Sequence, residues 1–134
     1  MAAAKKPAKD DDTVQSICRN KRAFHEYEIF DTLECGIVLK GTEVKSLREH
    51  AASLEEAYAK IEDGELWLIA SDIPEYTMGN LLNHKPKRPR KLLLHKRELD
   101  KFAGKASQQG YTLVPLRIYF KQGRAKVEIA IARG

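Results

Sequence analysis

Between residues 85 and 97 the chain carries seven cations, Lys85, Lys87, Arg88, Arg90, Lys91, Lys96 and Arg97, and no acidic residue. Charges of one sign this dense repel each other until something neutralises them. Phosphates do so, and the counterions they release make the association favourable and salt-dependent. A solvated loop, or pairing with acidic residues elsewhere in the chain, would account for the same run; a nucleic acid is the preferred partner. A second basic patch, Arg19-Asn20-Lys21-Arg22, is followed by Phe24, His25 and Tyr27. Unstacked bases rest on such rings, although Phe24 and Tyr27 suit the core face of a strand equally well. Glu34 has the opposite sign. A carboxylate near Gly36 does not serve a phosphate, but it can accept from a base amino group or hold a basic side chain in place.

Other chemistries have thinner support. Asp31, Glu43 and Lys45 form an Asp followed by Glu-x-Lys, a set that can bind Mg²⁺ and position a water for a nuclease. The pattern is short, and Glu43-Val44-Lys45 falls in an expected helix. Cys18, His25, Cys35, His50, His84 and His95 lack zinc-ligand spacing, so neither a metal nor a cofactor is expected. No Gly-x-Ser-x-Gly, Walker or dinucleotide-binding glycine pattern is present. The two cysteines form no Cys-x-x-Cys pair and read as reduced thiols of a cytoplasmic protein.

These residues need a scaffold. The chain has 134 residues, 43% hydrophobic and 32% charged, enough for one domain with a real core. No apolar run reaches the length of a membrane span, and the N-terminus lacks the apolar region of a secretory signal. The formal net charge of +5 is unevenly distributed: residues 23–84 carry −9 and residues 85–134 carry +11. Such polarity fits a polyanion partner.

Residues 1–13, including Asp10-Asp11-Asp12, read as a disordered, solvated tail, leaving one domain over 14–134. Tyr27, Ile29 and Leu33 alternate with polar neighbours as in a strand that continues through Ile37-Val38-Leu39, with a bend or bulge at Gly36. Gly41-Thr42 opens a short helix capped by Thr42, and Ser53 with Glu56 has capping-box spacing. Tyr58–Glu62 and Glu65–Ile69 read as a hairpin around Asp63-Gly64. Residues 71–89 are irregular. Leu99, Phe102, Ala103 and Ala106 line one face of a helix that stops at Gly110. A last hairpin, Thr112–Phe120 and Arg124–Ala132, turns at Gln122-Gly123, and Pro115 marks an edge or bulge. Five or six strands with few helices and no βαβ rhythm predict a mainly β fold, a small antiparallel barrel of the oligonucleotide-binding (OB) type. An open α+β sheet is the alternative.

Several long blocks carry a resemblance. They are Asn20-Lys21-Arg22, His25-Glu26-Tyr27, Glu34-Cys35-Gly36-Ile37-Val38-Leu39, and Gly41 through Arg48 as Gly-Thr-Glu-Val-Lys-Ser-Leu-Arg. Arg88 through Glu98 as Arg-Pro-Arg-Lys-Leu-Leu-Leu-His-Lys-Arg-Glu, Gly110 through Leu116, and Lys126-Val127-Glu128 complete them. From about Asn20 to Gly134 the chain resembles the small protein B family, the SsrA-binding proteins that partner transfer-messenger RNA in bacteria. The resemblance implies a six-stranded antiparallel OB-like barrel with about three helices. It further implies binding to the tRNA-like domain of transfer-messenger RNA and delivery of that RNA to the small-subunit decoding region of stalled ribosomes. Alanyl-tRNA synthetase and elongation factor Tu would be indirect partners, with no membrane and no catalysis. The RNA-binding residues it implies are Asn20, Lys21, Arg22, His25, Tyr27, Glu34, Lys91, Leu93, His95, Arg97 and Lys126. Phe24 stands where the family often has a cation, and Cys35 where it usually has Ala. The family continues past the position of Gly134 with a basic tail. A chain ending here is therefore expected to keep RNA binding and to lack the tail's decoding-site role. A nuclease built on Asp31, Glu43 and Lys45, or a general single-strand-binding OB module, are the competing readings.

Overall fold

A computed structural model describes residues 14–134 except 80, 81 and 109; the tail expected over residues 1–13 lies outside the described residues. The elements run β1 (Val14–Arg19), α1 (Lys21–Glu26), β2 (Glu28–Ile37), α2 (Gly41–Arg48), β3 (Tyr58–Glu62), β4 (Glu65–Ile69), β5 (Arg90–Leu93), α3 (Lys96–Ala106), β6 (Thr112–Lys121) and β7 (Arg124–Arg133). Two hairpin turns rest on local chemistry. Asp63 and Gly64 have φ of 53° and 75°, and Gln122 and Gly123 have φ of 53° and 80°. Both pairs hold the left-handed conformations that tight two-residue hairpins require, which glycine adopts without strain.

The antiparallel pairings close on themselves. β6 pairs β3, β3 pairs β4, β4 pairs β5, β5 pairs β2, β2 pairs β7, and β7 returns to β6. This ring has the six strands expected. β1 adds a seventh by pairing with the Arg117–Lys121 end of β6. The β3–β6 joint is thin, a single register pair of Ala59 with Leu113.

Inside the ring, Cys35, Leu66, Leu68, Ile118, Val127 and Ile129 are fully buried, and Leu99 and Phe102 of α3 pack with them. A smaller core lies on the outer side of β6 and β7, where Ala23 of α1 meets Val114, Leu116, Ala130 and Ala132. These strands are therefore apolar on both faces at that end, which explains the unbroken runs Leu113–Leu116 and Ile129–Ala132.

Local details depart from expectation where distant partners decide. The cap of α2 is Lys40, not Thr42: the Glu43 carboxylate accepts from the Lys40 amide at 2.7 Å. The Thr42 hydroxyl instead meets Nδ1 of His84 at 2.8 Å. Ser53 Oγ accepts from the Glu55 amide at 3.4 Å at the start of a turn, and Ser53 also forms an isolated antiparallel bridge with Asp72. β2 ends at Ile37, and its irregularity lies between Ile29 and Asp31 rather than at Gly36. Pro115 does mark a bulge, as the β6–β7 register shifts between Pro115 and Arg117.

Candidate nucleic-acid interface

Strand alternation sorts β2, β5 and β7 into two faces. Cys35, Leu92 and Val127 point inward and are buried. Their neighbours Glu34, Gly36, Leu93 and Lys126 therefore share the outer face. At Gly36 the strand has a partner on each side, Lys126 of β7 and Leu93 of β5. The row Leu93–Gly36–Lys126 crosses three strands, and its middle position lacks a side chain. A Cβ there would meet Leu93 Cβ at 3.4 Å. The result is a groove of about 460 Å³ lined by Glu34, Gly36, Leu93, His95, Glu98 and Lys126. Leu93 is 49% exposed beside these charged groups, so the core does not claim it. His95 caps α3, and its amide donates to the Glu98 carboxylate at 3.2 Å.

Glu34 is held from one side. Tyr119 Oη donates to its Oε2 at 2.5 Å, and Lys121 Nζ lies 3.6 Å from the same oxygen. Alongside, Arg117 Nε bonds Glu128 Oε1 at 2.7 Å. Burial, and then the hydrogen bond and charge of Glu34, push the Tyr119 hydroxyl well above its ordinary 10, so it stays a donor.

On the far side of Leu93, Lys91 ion-pairs with Glu65 at 2.6 Å. Lys91, Leu93 and Lys96 line a second groove of about 260 Å³. Arg97 is exposed on the first turn of α3.

The N-terminal candidates sit at the other end of the same outer surface, because α1 covers Ala130 and Ala132 of the strand that bears Lys126. Six residues of strand separate Lys126 from Ala132, roughly 20 Å. Lys21, Arg22 and His25 are exposed, and Tyr27 is half-buried. Arg22 pairs with Glu26 at 3.0 Å. Asn20 differs from these neighbours in having its side chain engaged inside the fold. It is 4% exposed; its Nδ2 donates to Pro115 O at 2.9 Å and Leu54 O at 3.2 Å, and its Oδ1 accepts from Ala23 N at 3.1 Å.

The basic run of residues 85–97 is partly internal. Arg90 is fully buried and donates to Glu43 Oε2 from Nε at 2.9 Å and Nη2 at 2.7 Å. Arg88 donates to the same carboxylate at 2.9 and 2.6 Å. Acidic residue 43 therefore neutralises two of the seven cations, and Glu65 a third. Among the described residues, no ion pair engages Lys85, Lys87, Arg97 or Lys126.

The set considered for a nuclease is dispersed. Glu43 is buried and saturated by two guanidinium groups, and Asp31 is bonded to Lys105 at 2.7 Å on the surface. Lys45 lies over the Tyr76 ring at 5.7 Å. No group of three or more His, Cys, Asp and Glu could hold a metal ion among the described residues. Both cysteines are free; burial pushes their thiols up, Cys18 to about 11 and Cys35 to about 12.

Tyr119, Lys121, Arg117 and Glu128 were missed as part of this surface. The two-residue turn could have revealed Tyr119, since counting back from Gln122-Gly123 pairs it with Lys126.

The chain as a whole is similar to known proteins. A family model described as "SmpB protein" matches residues 17–134. The SsrA-binding protein of Desulforudis audaxviator is 54% identical over 120 residues, covering 90% of this chain and 78% of its own. That of Frankia casuarinae is 58% identical over 118 residues, covering 88% and 74%. That of Fervidobacterium nodosum is 55% identical over 119 residues, covering 88% and 80%. A chain solved under the description "tmRNA-SmpB: a journey to the center of the bacterial ribosome" is similar at 52% identity with a TM-score of 0.74, covering 87% of this chain and 82% of that one.

Proposed function

The chain belongs to the SmpB family, and from that membership we propose that it binds the tRNA-like domain of transfer-messenger RNA and delivers this RNA to stalled ribosomes. One observation carries the assignment to this surface: residues from three separate segments, Glu34 and Gly36, Leu93 and His95, and Lys126, line a single groove.

In this reading Lys126, Lys91, Arg97, Lys21 and Arg22 face phosphates, since cations neutralise the backbone without reading sequence. Glu34 accepts from a base amino group or a ribose 2′-hydroxyl, donors that a bare phosphate lacks. Leu93 packs on a sugar or base face, while His95 and Tyr27 offer rings and hydrogen bonds to bases. The protein acts by shape and charge and breaks no covalent bond. Alanyl-tRNA synthetase and elongation factor Tu are indirect partners acting on the bound RNA, and the setting is the cytoplasm. No helix among the described residues is long and apolar enough to cross a membrane.

The test is a mobility-shift titration with the tRNA-like domain, with and without Mg²⁺, competed by bulk tRNA. Binding without cleavage, resistant to bulk tRNA, is expected. Equal competition by bulk tRNA or by an oligonucleotide would favour a general single-strand-binding module. Mg²⁺-dependent cleavage would overturn the reading.

A further inference from the structure

We infer that Tyr119 is a positioning residue of the RNA site: its hydroxyl fixes one oxygen of the Glu34 carboxylate and leaves the other for the RNA. The inference rests on the reading of Glu34 as an RNA contact and adds the residue that makes this contact directional.

The register sets up the problem that Tyr119 solves. Glu34 of β2 stands opposite Glu128 of β7, two carboxylates on facing positions. Like charges directly opposite each other destabilise a ladder and would splay both side chains. β6 resolves the conflict from the next strand over. Arg117, paired with Glu128 in register, takes that carboxylate at 2.7 Å. Tyr119, in register with Lys126, reaches diagonally across β7 to Glu34 at 2.5 Å. Tyr119 as a residue is 8% exposed, so its hydroxyl is delivered on a fixed lever.

Two consequences follow for RNA. Among the described residues, the side-chain contacts to the Glu34 carboxylate, from Tyr119 and from Lys121, both fall on Oε2. Oε1 therefore keeps its acceptor capacity for a donor entering the groove. An acceptor held in one rotamer also loses less side-chain entropy when the ligand arrives. The Tyr119 bond is neutral on the tyrosine side, so it adds orientation without adding cationic charge to attract phosphate.

The experiment is a double-mutant cycle on binding of the tRNA-like domain, using Tyr119→Phe, Glu34→Ala and the double variant. Each is titrated at several salt concentrations, with its thermal midpoint recorded. Tyr119→Phe is expected to weaken binding roughly fivefold to tenfold, the scale of one oriented charge-assisted hydrogen bond, with the salt slope unchanged. In the Glu34→Ala background the same substitution is expected to change nothing. Any packing change caused by the lost hydroxyl is common to both backgrounds and cancels in the coupling. An equal loss in both backgrounds would mean that Tyr119 acts without Glu34, and the inference would fail. It would also fail if Glu34→Ala weakened binding and Tyr119→Phe did not. If Glu34→Ala alone bound like the parent chain, the contact role of Glu34 would be what fails, and Tyr119 would have nothing to position.

Discussion

The carboxylate of Glu43 and the guanidinium of Arg90 meet in the interior, both at 0% exposure, with Nη2 and Oε2 2.7 Å apart. Glu43 belongs to α2 and Arg90 opens β5, so the pair ties the helix to the strand that presents Leu93. Arg90 Nη1 also donates to Ser71 Oγ at 2.9 Å and its Nη2 to Pro86 O at 3.0 Å, which pins both ends of the irregular segment. Removing one partner strands buried charge. Glu43→Gln is expected to cost about 3–5 kcal/mol in urea denaturation. Burial on its own would raise the Glu43 carboxyl, but hydrogen bonds from Arg88, the Lys40 amide and Arg90 outweigh it and hold the group below its ordinary 4.5. The unfolded chain then binds more protons near that pH, so the contribution is full above 4.5 and fades as pH falls through the lower folded value. The stability gap between parent and Glu43→Gln should shrink below pH 4.5. A gap independent of pH would show that the ionised carboxylate is not what the arginines hold.

Lys126 and Lys91 should differ as phosphate contacts. Lys126 lines the groove without an ion pair among the described residues, whereas Lys91 is bound to Glu65. Lys126→Ala is expected to weaken RNA binding at low salt and reduce the salt slope by about one. Lys91→Ala should act in the same direction by less, because Glu65 already neutralises part of its charge. Unchanged slopes for both variants would exclude them from the phosphate-binding surface.

Gly36 keeps the groove open. An alanine there would touch Leu93 at ordinary contact distance, whereas a valine must push Leu93 aside and fill the space toward Lys126. Gly36→Val is therefore expected to lower affinity by roughly tenfold, or about 1.4 kcal/mol, with the denaturation midpoint held. Gly36→Ala should change little. Equal affinity for both variants would mean that the RNA does not enter this groove.

Asn20 tests the opposite assignment. Its amide caps α1 and satisfies two carbonyls, Leu54 O and Pro115 O. Asn20→Ala should destabilise the fold by about 1–3 kcal/mol through the lost cap and unsatisfied buried groups. RNA affinity per folded molecule should be preserved; a selective loss of affinity at full stability would show that Asn20 touches the RNA.

The elements that were readable from sequence depend on near neighbours. Asp63-Gly64 and Gln122-Gly123 announce their hairpins because the turn dictates its own residues. Leu99 and Phe102 announce α3 by spacing. β1 was not legible: of Val14–Arg19 only Ile17 is buried, and its partner strand lies about a hundred residues away. The same distance problem governed the charges. Arg90 reads as a surface cation until Glu43, 47 positions earlier, is placed against it. Sequence blocks brought Glu34, Leu93, His95 and Lys126 forward as candidates, but only the pairing of β2 with both β5 and β7 puts them in one groove. Asn20 stands among exposed cations in the sequence, and its burial becomes visible only when Leu54 O and Pro115 O, 34 and 95 positions away, are placed against its amide.

The placement of β7 bears on how the chain matures. This strand, last to be synthesised among the described residues, pairs with both β2 and β6. Before residues 124–133 emerge, β2 and β6 each offer an open edge, and such edges recruit other chains. Closure of the ring is therefore a late event built on long-range contacts, which makes for slow acquisition of the native state. A nascent polypeptide arrested short of Arg124 would present sticky β-structure to its surroundings, a liability that chaperone capture during translation would have to cover.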